Sequence, residues 1–166
     1  SRAKGKTVIV SAACEPEVVD LGNFLIKMGA KIEGLGSPVI TITGVKQLKG
    51  CEYSIISDRI EAGTYMLAAA ITRGDVIIQN APIVQLGAVI DQLRQAGVDI
   101  VTKGKQIHVK VTGALKPITL TTHTYPGFPT DLQAQMMTLL AVIPGISVLT
   151  GKIFPDRFMH VAELAR

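Results

Sequence analysis

Gly5-Lys6-Thr7-Val8-Ile9-Val10 recurs along the chain as Gly74-Asp75-Val76-Ile77-Ile78-Gln79 and again as Gly145-Ile146-Ser147-Val148-Leu149-Thr150. A glycine followed by a short run of β-branched residues is typical of a strand. The leading glycines are 69 and then 71 residues apart, and a spacing this regular indicates one supersecondary unit repeated along the chain. The third copy reaches Arg166 inside its expected first helix, so we expect an internal fragment of a longer protein.

The segments between the copies predict one order of elements: a strand, a helix, two strands, a further strand and a second helix. Val18, Leu21, Leu25 and Met28 recur at helical spacing, and Gly29 suits the end of that helix. In the first unit we predict strands at 7–10, 31–33, 39–43 and 53–56, and helices at 15–28 and 58–72. In the second we predict strands at 76–79, 98–101, 107–111 and 118–122, and helices at 83–96 and 131–142.

Helices on one side of a small mixed sheet indicate the α/β (α+β) class. The chain would hold two βαββ-βα units of about 70 residues and the start of a third. A unit of that size is too small to be very stable alone, so repeated units usually bury their apolar faces against one another.

Composition excludes several classes of protein. Hydrophobic residues make up 48% of the chain and charged residues 18%, and no apolar run approaches the ~18 residues of a membrane span. The two cysteines do not resemble a disulfide framework, and the three histidines lack metal-ligand spacing, so a reducing cytoplasm is the expected location. The net charge of +4 is scattered, and 4% aromatic residues without Trp provide no stacking platform for nucleic acid.

Two segments contain the strongest candidates for chemistry. In 125–135, two prolines and a glycine precede Thr130 and Asp131 at a predicted helix start. Thr130 with Gln133 could simply cap that helix, or Asp131 could accept a proton from a substrate hydroxyl. In 153–160, Arg157 and His160 would share a helix face, where Arg157 could bind an anion or be solvated while His160 packs.

Other polar residues have a structural interpretation first. Asp58 with Glu61 resembles a helix cap followed by an exposed Arg59. Glu15 and Glu17 complement a helix dipole. Cys14 precedes a helix start, but its acidic neighbours favour an inert thiol over a nucleophile.

Four motifs together resemble the UDP-N-acetylglucosamine 1-carboxyvinyltransferases, the enolpyruvyl transferases of bacterial peptidoglycan synthesis. The resemblance covers essentially the whole chain but only an internal part of the family's longer sequence. The motifs lie at 15–17 (Glu-Pro-Glu), 57–64 (Ser-Asp-Arg-Ile-Glu-Ala-Gly-Thr), 128–135 (Phe-Pro-Thr-Asp-Leu-Gln-Ala-Gln) and 156–161 (Asp-Arg-Phe-Met-His-Val).

The resemblance implies an inside-out α/β barrel, with two domains of three units each, helices inside and sheets outside. Residues 1–57 would be the last repeat unit of the first parent domain. Residues 58–166 would be the first unit of the second parent domain and the start of the next unit. The remainder of the parent chain is therefore an expected partner.

The resemblance also implies transfer of the enolpyruvyl group of phosphoenolpyruvate to the 3′-hydroxyl of UDP-N-acetylglucosamine, with no cofactor. Asp131 matches the family's candidate base. Ile153 and Phe154 match positions that line the uridine site, and Arg157 matches one near the nucleotide. Glu15 and Asp58 match acidic residues of the cleft between domains.

Departures from the family pattern affect local contacts. Ser57 replaces a common proline, Cys14 replaces a common basic residue, and His123-Thr124-Tyr125 stands where Ala-Pro-His is usual. The family's loop cysteine, N-terminal lysine and asparagine, and phosphate-binding arginines have no match here, so we expect no turnover by this chain alone. The alternatives are a shikimate-pathway enolpyruvyl transferase and a basic α/β RNA-binding module. The interpretation we favour involves neither nucleic acid nor membrane.

Overall fold

In the computed structural model, which describes residues 1–166, the chain divides after Ile56 into a first unit (Ser1–Ile56) and a second unit (Ser57–Arg166). Both units mix helices and strands. None of the helices has the length and hydropathy that crossing a membrane requires.

The first unit is a three-stranded antiparallel sheet with one helix. It contains β1 (Lys6–Val10), α1 (Pro16–Lys27), β2 (Lys31–Glu33) and β3 (Val39–Thr43). The strand order is β1-β3-β2, so β3 is central, and its Thr43 pairs with the first residue of each neighbouring strand. Proline occupies the first turn of α1, where its missing N–H costs no helical hydrogen bond.

The strand predicted at 53–56 is wrong, because this segment pairs with no other strand. The Tyr53 side chain instead contacts α1. Its hydroxyl donates to Asp20 Oδ1 at 2.7 Å, and its ring centroid lies 5.2 Å from that of Phe24. The hydrogen bond to Asp20 raises the pKa of Tyr53. Tyr53 therefore packs on a helix instead of pairing in a sheet, whereas Ile55 of the same segment is exposed.

The second unit contains two sheets and four helices. Its elements are α2 (Arg59–Ile71), β4 (Asp75–Ile78), α3 (Gly87–Gln95), β5 (Asp99–Lys103), β6 (Gln106–Lys110), β7 (Thr119–Thr122), α4 (Gln133–Ala141), β8 (Val148–Gly151) and α5 (His160–Leu164). One sheet is antiparallel with the order β4-β6-β5, and the other is the parallel pair β7-β8. The strand predicted at 118–122 thus forms a separate sheet, and no single mixed sheet exists.

Two predicted helices begin with a 3-10 turn. Ile83–Leu86 precedes α3, and Thr130–Leu132 precedes α4. Each turn follows a proline, Pro82 or Pro129, which donates no hydrogen bond and whose ring restricts the backbone of the residue before it. The α-helical hydrogen bonding starts a few residues later than apolar periodicity suggests, at Gly87 in α3 and at Gln133 in α4.

The buried core of the second unit lies among its helices and the inner faces of its sheets. Met66, Leu93, Ile107, Leu132 and Met136 are completely or almost completely buried. Gly63 allows α2 to approach the turn before α4, since a Cβ there would lie 2.5 Å from Leu132 Cδ1. This close contact fixes the helix start that follows the turn.

Candidate functional site

The parallel pair β7-β8 positions two loops at one edge of its sheet. Thr122 and Gly151 pair at the carboxyl ends of these strands, and the segments 123–132 and 152–159 follow them. Loops at the carboxyl ends of parallel strands are where α/β proteins usually bind ligands. These two loops contain Asp131 and Arg157, so the predicted residues lie at a favourable edge.

The first loop is closed by its own backbone. The His123 N–H donates to the Phe128 carbonyl at 3.0 Å, and the Gly127 N–H donates to the Thr124 carbonyl at 2.8 Å. A side chain at Gly127 would lie 2.5 Å from His123 Cβ, so the turn requires glycine. Phe128, only 3% exposed, anchors the loop in the core. The loop therefore holds the following turn in one place.

The second loop is attached to the first strand of the pair. The Lys152 N–H donates to Thr122 Oγ1 at 3.2 Å. The Arg157 N–H donates to the Phe154 carbonyl at 3.1 Å, which forms a turn. In this turn the Arg157 guanidinium lies 5.9 Å from the centroid of the Phe154 ring, within the range of a cation–π contact.

Asp131 and Arg157 form an ion pair between the two loops. Arg157 Nη1 lies 2.7 Å from Asp131 Oδ1, and the two side chains are 54% (Asp131) and 42% (Arg157) exposed. Solvent screening makes such an exposed pair weak on its own. Phe154 is exposed beside it, and Ile153 is half-buried. A carboxylate, a guanidinium and an aromatic face are thus brought together and open to a ligand.

The structure corrects two expectations about this region. Arg157 and His160 do not share a helix face, since α5 begins at His160 and Arg157 lies in the turn before it. His160 Nε2 instead lies 3.0 Å from Met137 Sδ on α4. Thr130 does not cap α4, because its hydroxyl is buried without a hydrogen-bond partner. Asp131 is therefore left as the exposed polar group of the turn.

Asp58 is the N-cap of α2. Its Oδ1 accepts hydrogen bonds from the N–H groups of Ile60 at 2.7 Å and Glu61 at 3.1 Å. The residue also lines a surface cleft of about 360 Å³, together with Glu61, Tyr65, Asn80 and Pro82 among others. The capping interpretation of Asp58 is therefore confirmed, and a role in ligand binding stays a prediction.

The cap interpretation expected an exposed Arg59, and this is wrong: the residue is buried, with 7% of its surface exposed. Its guanidinium lies 5.6 Å from the centroid of the Tyr125 ring. This contact joins the start of α2 to the loop before Asp131. The cation–π contact was invisible in the sequence because 66 residues separate the two side chains.

Glu15 lies in the first unit, directly before α1. Its side chain makes no capping hydrogen bond, although its carbonyl accepts from the N–H groups of Val18 and Val19. The residue is half-buried. No group of three or more His, Cys, Asp or Glu side chains is arranged to hold a metal ion.

Two side chains of the β4-β6-β5 sheet, Asp75 and Lys110, have shifted pKa values. Hydrogen bonds from Lys110, at 2.6 Å, and His108 hold the pKa of Asp75 below its ordinary value. The same carboxylate raises the pKa of Lys110. These exposed groups form a surface ion network on the outer face of the sheet.

Sequence reasoning assigned Gln133 to a helix cap with Thr130 and missed its burial and its contact with Arg157. Gln133, 1% exposed, donates from Nε2 to the Arg157 carbonyl at 2.9 Å. It occupies the same helix face as Met136 and Leu140, where a core residue is expected. A polar residue on the apolar face of α4 was the signal that could have identified it.

Comparison with known proteins places the chain among the enolpyruvyl transferases. It is 54% identical over 166 residues to UDP-N-acetylglucosamine 1-carboxyvinyltransferase 2 of Carboxydothermus hydrogenoformans, covering 99% of this chain and 40% of that protein. It is 48% identical over 165 residues to UDP-N-acetylglucosamine 1-carboxyvinyltransferase of Methylacidiphilum infernorum, covering 99% of this chain and 39% of that protein. The chain thus spans about 40% of the length of these curated relatives.

Solved structures show the same fold. The enolpyruvyl transferase NikO from Streptomyces tendae matches with a TM-score of 0.84 at 23% identity, over 98% of this chain and 39% of that one. EPSP synthase from Acinetobacter baumannii matches with a TM-score of 0.62 at 25% identity, over 89% of this chain and 35% of that one. The family model described as EPSP synthase (3-phosphoshikimate 1-carboxyvinyltransferase) matches residues 1–166. Since that match covers the entire sequence, the chain belongs to the EPSP synthase family of carboxyvinyltransferases.

Proposed function

We propose that this chain is part of a UDP-N-acetylglucosamine 1-carboxyvinyltransferase, which makes a peptidoglycan precursor. The enzyme transfers the enolpyruvyl group of phosphoenolpyruvate to the 3′-hydroxyl of UDP-N-acetylglucosamine and releases phosphate. The observation that carries the proposal is the exposed Asp131–Arg157 pair beside Phe154, at the carboxyl ends of two parallel strands. Relatives of that name at about half identity support the choice of substrates.

Asp131 is the proposed base. As the sugar hydroxyl oxygen attacks C2 of phosphoenolpyruvate, its proton passes to the carboxylate, while C3 gains a proton from a group outside this chain. The resulting tetrahedral intermediate then loses a C3 proton and phosphate, which restores the double bond. A carboxylate held on a closed loop suits this role, because the position of the base relative to the hydroxyl sets the rate.

Arg157, Phe154 and Ile153 are the proposed nucleotide contacts. A guanidinium binds phosphate oxygens through paired N–H donors, and an aromatic ring offers a face to the uracil base. The Arg157 guanidinium lies 2.7 Å from the Asp131 carboxylate and 5.9 Å from the centroid of the Phe154 ring, so all three groups are available to one bound nucleotide sugar.

Glu15 and Asp58 are proposed as acidic residues of the cleft between the parent's domains. We assign residues 1–57 to the last unit of the first parent domain, and residues 58–166 to the first unit of the second and the start of the next. The shared antiparallel order of the β1-β3-β2 and β4-β6-β5 sheets supports a repeated unit of an inside-out α/β barrel. The proposed partners are the two substrates and the rest of the parent chain, without a cofactor, in the cytoplasm.

A shikimate-pathway transferase is the second candidate, because the description of the matching family model names 3-phosphoshikimate as a substrate. Such an enzyme would bind a small carboxylated ring in place of a UDP-sugar. Competition between the two ligands therefore separates the candidates.

The test is an NMR titration of the labelled chain with UDP-N-acetylglucosamine, using UDP-glucose and shikimate 3-phosphate as comparison ligands. We expect saturable shifts at Asp131, Ile153, Phe154 and Arg157 with UDP-N-acetylglucosamine. Asp131→Asn should weaken the sugar contact, while the control Asp91→Asn, at an exposed carboxylate on α3, should not. Preferential binding of shikimate 3-phosphate would overturn the proposal.

The chain alone should release no phosphate from the two substrates, because the family's loop cysteine has no match in this sequence. A phosphate-release assay on the pure chain tests this. The positive control is a full-length member of the family under the same conditions. Turnover by the chain would show that its own residues suffice.

A further inference from the structure

We infer that Gln133 is a positioning residue: it holds the main chain of Arg157 so that the guanidinium stays on Asp131. The inference rests on the proposed function, since it assigns a role within the same nucleotide-sugar site. Gln133 is 1% exposed, and its Nε2 donates to the Arg157 carbonyl at 2.9 Å.

Arg157 is therefore attached at two points to one short stretch of chain. Its side chain contacts Asp131, and its carbonyl contacts Gln133, two residues further on at the start of α4. Ion pairing alone would hold an exposed arginine weakly, because a long side chain loses much rotamer freedom in one geometry. With the main chain fixed as well, the guanidinium has fewer conformations to lose.

The space around the Gln133 amide is fitted to it. A Cβ at Gly151 would lie 3.4 Å from Gln133 Oε1 and 3.3 Å from the ring of Phe158. The absence of a side chain at Gly151 therefore leaves room for the amide between the end of β8 and the second loop. A larger residue there would push against both neighbours.

Stability alone does not explain a glutamine at this position. Its Oε1 is buried without a hydrogen-bond partner, which is unfavourable compared with an apolar side chain of similar length. Methionine would fill the same space without a buried polar group. What the amide adds is the donor that fixes Arg157.

The test compares Gln133→Met with the matched control Gln135→Met. Gln135 lies on the same helix and donates to Thr64 Oγ1 at 3.1 Å, so its replacement also removes one hydrogen bond but leaves Arg157 untouched. The measurements are the heteronuclear NOE of the Arg157 Nε–Hε group, the Kd for UDP-N-acetylglucosamine by NMR titration, and the melting temperature.

We expect Gln133→Met to lower the Arg157 NOE and to weaken nucleotide-sugar binding about 3- to 10-fold, the usual effect of one hydrogen bond. Gln135→Met should change neither. Equal NOE and Kd values in the two variants would overturn the inference, even if Gln133→Met alters the melting temperature.

Two further controls keep the result decisive. If Gln133→Met does not fold, Gly151→Ala crowds the amide without removing it, and the same loss of Arg157 order is expected. If the unsubstituted chain does not bind UDP-N-acetylglucosamine, the proposed nucleotide-sugar contacts of this chain alone fail, whereas the NOE comparison needs no ligand and still decides whether Gln133 positions Arg157.

Discussion

The β1-β3-β2 and β4-β6-β5 sheets share a strand order but differ in what they bury. Every residue of β1 is exposed, and the buried apolar side chains of the first unit are Pro16, Ala30 and Ile40. The second unit instead has a continuous buried core that extends along the chain from Ala62 to Ile143. Strand pairing thus follows from local pattern and hairpin geometry, whereas burial depends on which helices pack on the sheet.

The ends of α1 and α3 sharpen this contrast. The Ala30 N–H donates to the Leu25 carbonyl at 2.9 Å, and the Val98 N–H donates to the Leu93 carbonyl at 3.0 Å. A left-handed glycine follows each helix. Leu25 and Leu93 are therefore equivalent in backbone position, yet Leu25 is half-buried and Leu93 is fully buried. Equivalent motifs can contribute very different amounts to stability.

The largest expected effect comes from truncating these two leucines. Leu93→Ala should lower the free energy of unfolding of its unit by about 2–5 kcal/mol, because it leaves a cavity in a packed core. Leu25→Ala should cost less than about 1.5 kcal/mol, since the side chain buries only part of its surface. Urea titration followed by amide NMR signals measures each unit separately. Equal losses would mean that the backbone position of the leucine in the motif, and not the burial of its side chain, sets the loss of unfolding free energy.

Two helical glycines give the second comparison. A Cβ at Gly63 in α2 would meet the fully buried Leu132, and one at Gly22 in α1 would meet the half-buried Leu35 of a hairpin turn. Gly63→Ala should destabilise by about 1–2 kcal/mol, because overpacking in the core exceeds the gain in helix propensity.

Gly22→Ala should change stability by less than about 0.5 kcal/mol. The cost of moving the Leu35 side chain is offset by the higher helix propensity of alanine over glycine. Urea unfolding of both variants, followed as before, decides this. A large loss in Gly22→Ala would show that the first unit is packed as tightly as the second.

Local features of the fold were predictable from the sequence. The extent of α1, its glycine end and the strands of both antiparallel hairpins follow from periodicity, glycine conformation and β-branched residues. The parallel pairing of β7 with β8 was not predicted, because it joins segments separated by α4 and depends on tertiary packing. The strand prediction at 53–56 failed for the same reason, because apolar periodicity does not say which surface the side chains contact.

The site shows the same division. Asp131 was identifiable because two prolines and a glycine precede it, and Arg157 because it lies near a predicted helix start, where an arginine suits an anion. Their ion pair was not predictable, since 26 residues separate them and the pairing of β7 with β8 brings them together. Gln133 was assigned to capping because its spacing from Thr130 suits that role, but the 3-10 turn removes the cap.

The smallest expected effect concerns charge on the two sheets. Asp75 pairs across its sheet with Lys110, whereas the corresponding pair of the first sheet is Lys6 with Thr43. The pKa of Asp75 lies below the ordinary carboxyl value, chiefly because of the hydrogen bond from Lys110 and next because of the one from His108. Its stabilising contribution is therefore present above the ordinary carboxyl pKa, and it is lost as pH falls through the lower value of the folded state.

Carboxyl ¹³C NMR titration should show an upward shift of the Asp75 titration midpoint in Lys110→Met that exceeds the shift in His108→Leu. Both shifts should shrink in high salt, because exposed charges are screened. A larger shift in His108→Leu would reverse the order of the two partners and assign the histidine, not the lysine, as the main support of the carboxylate.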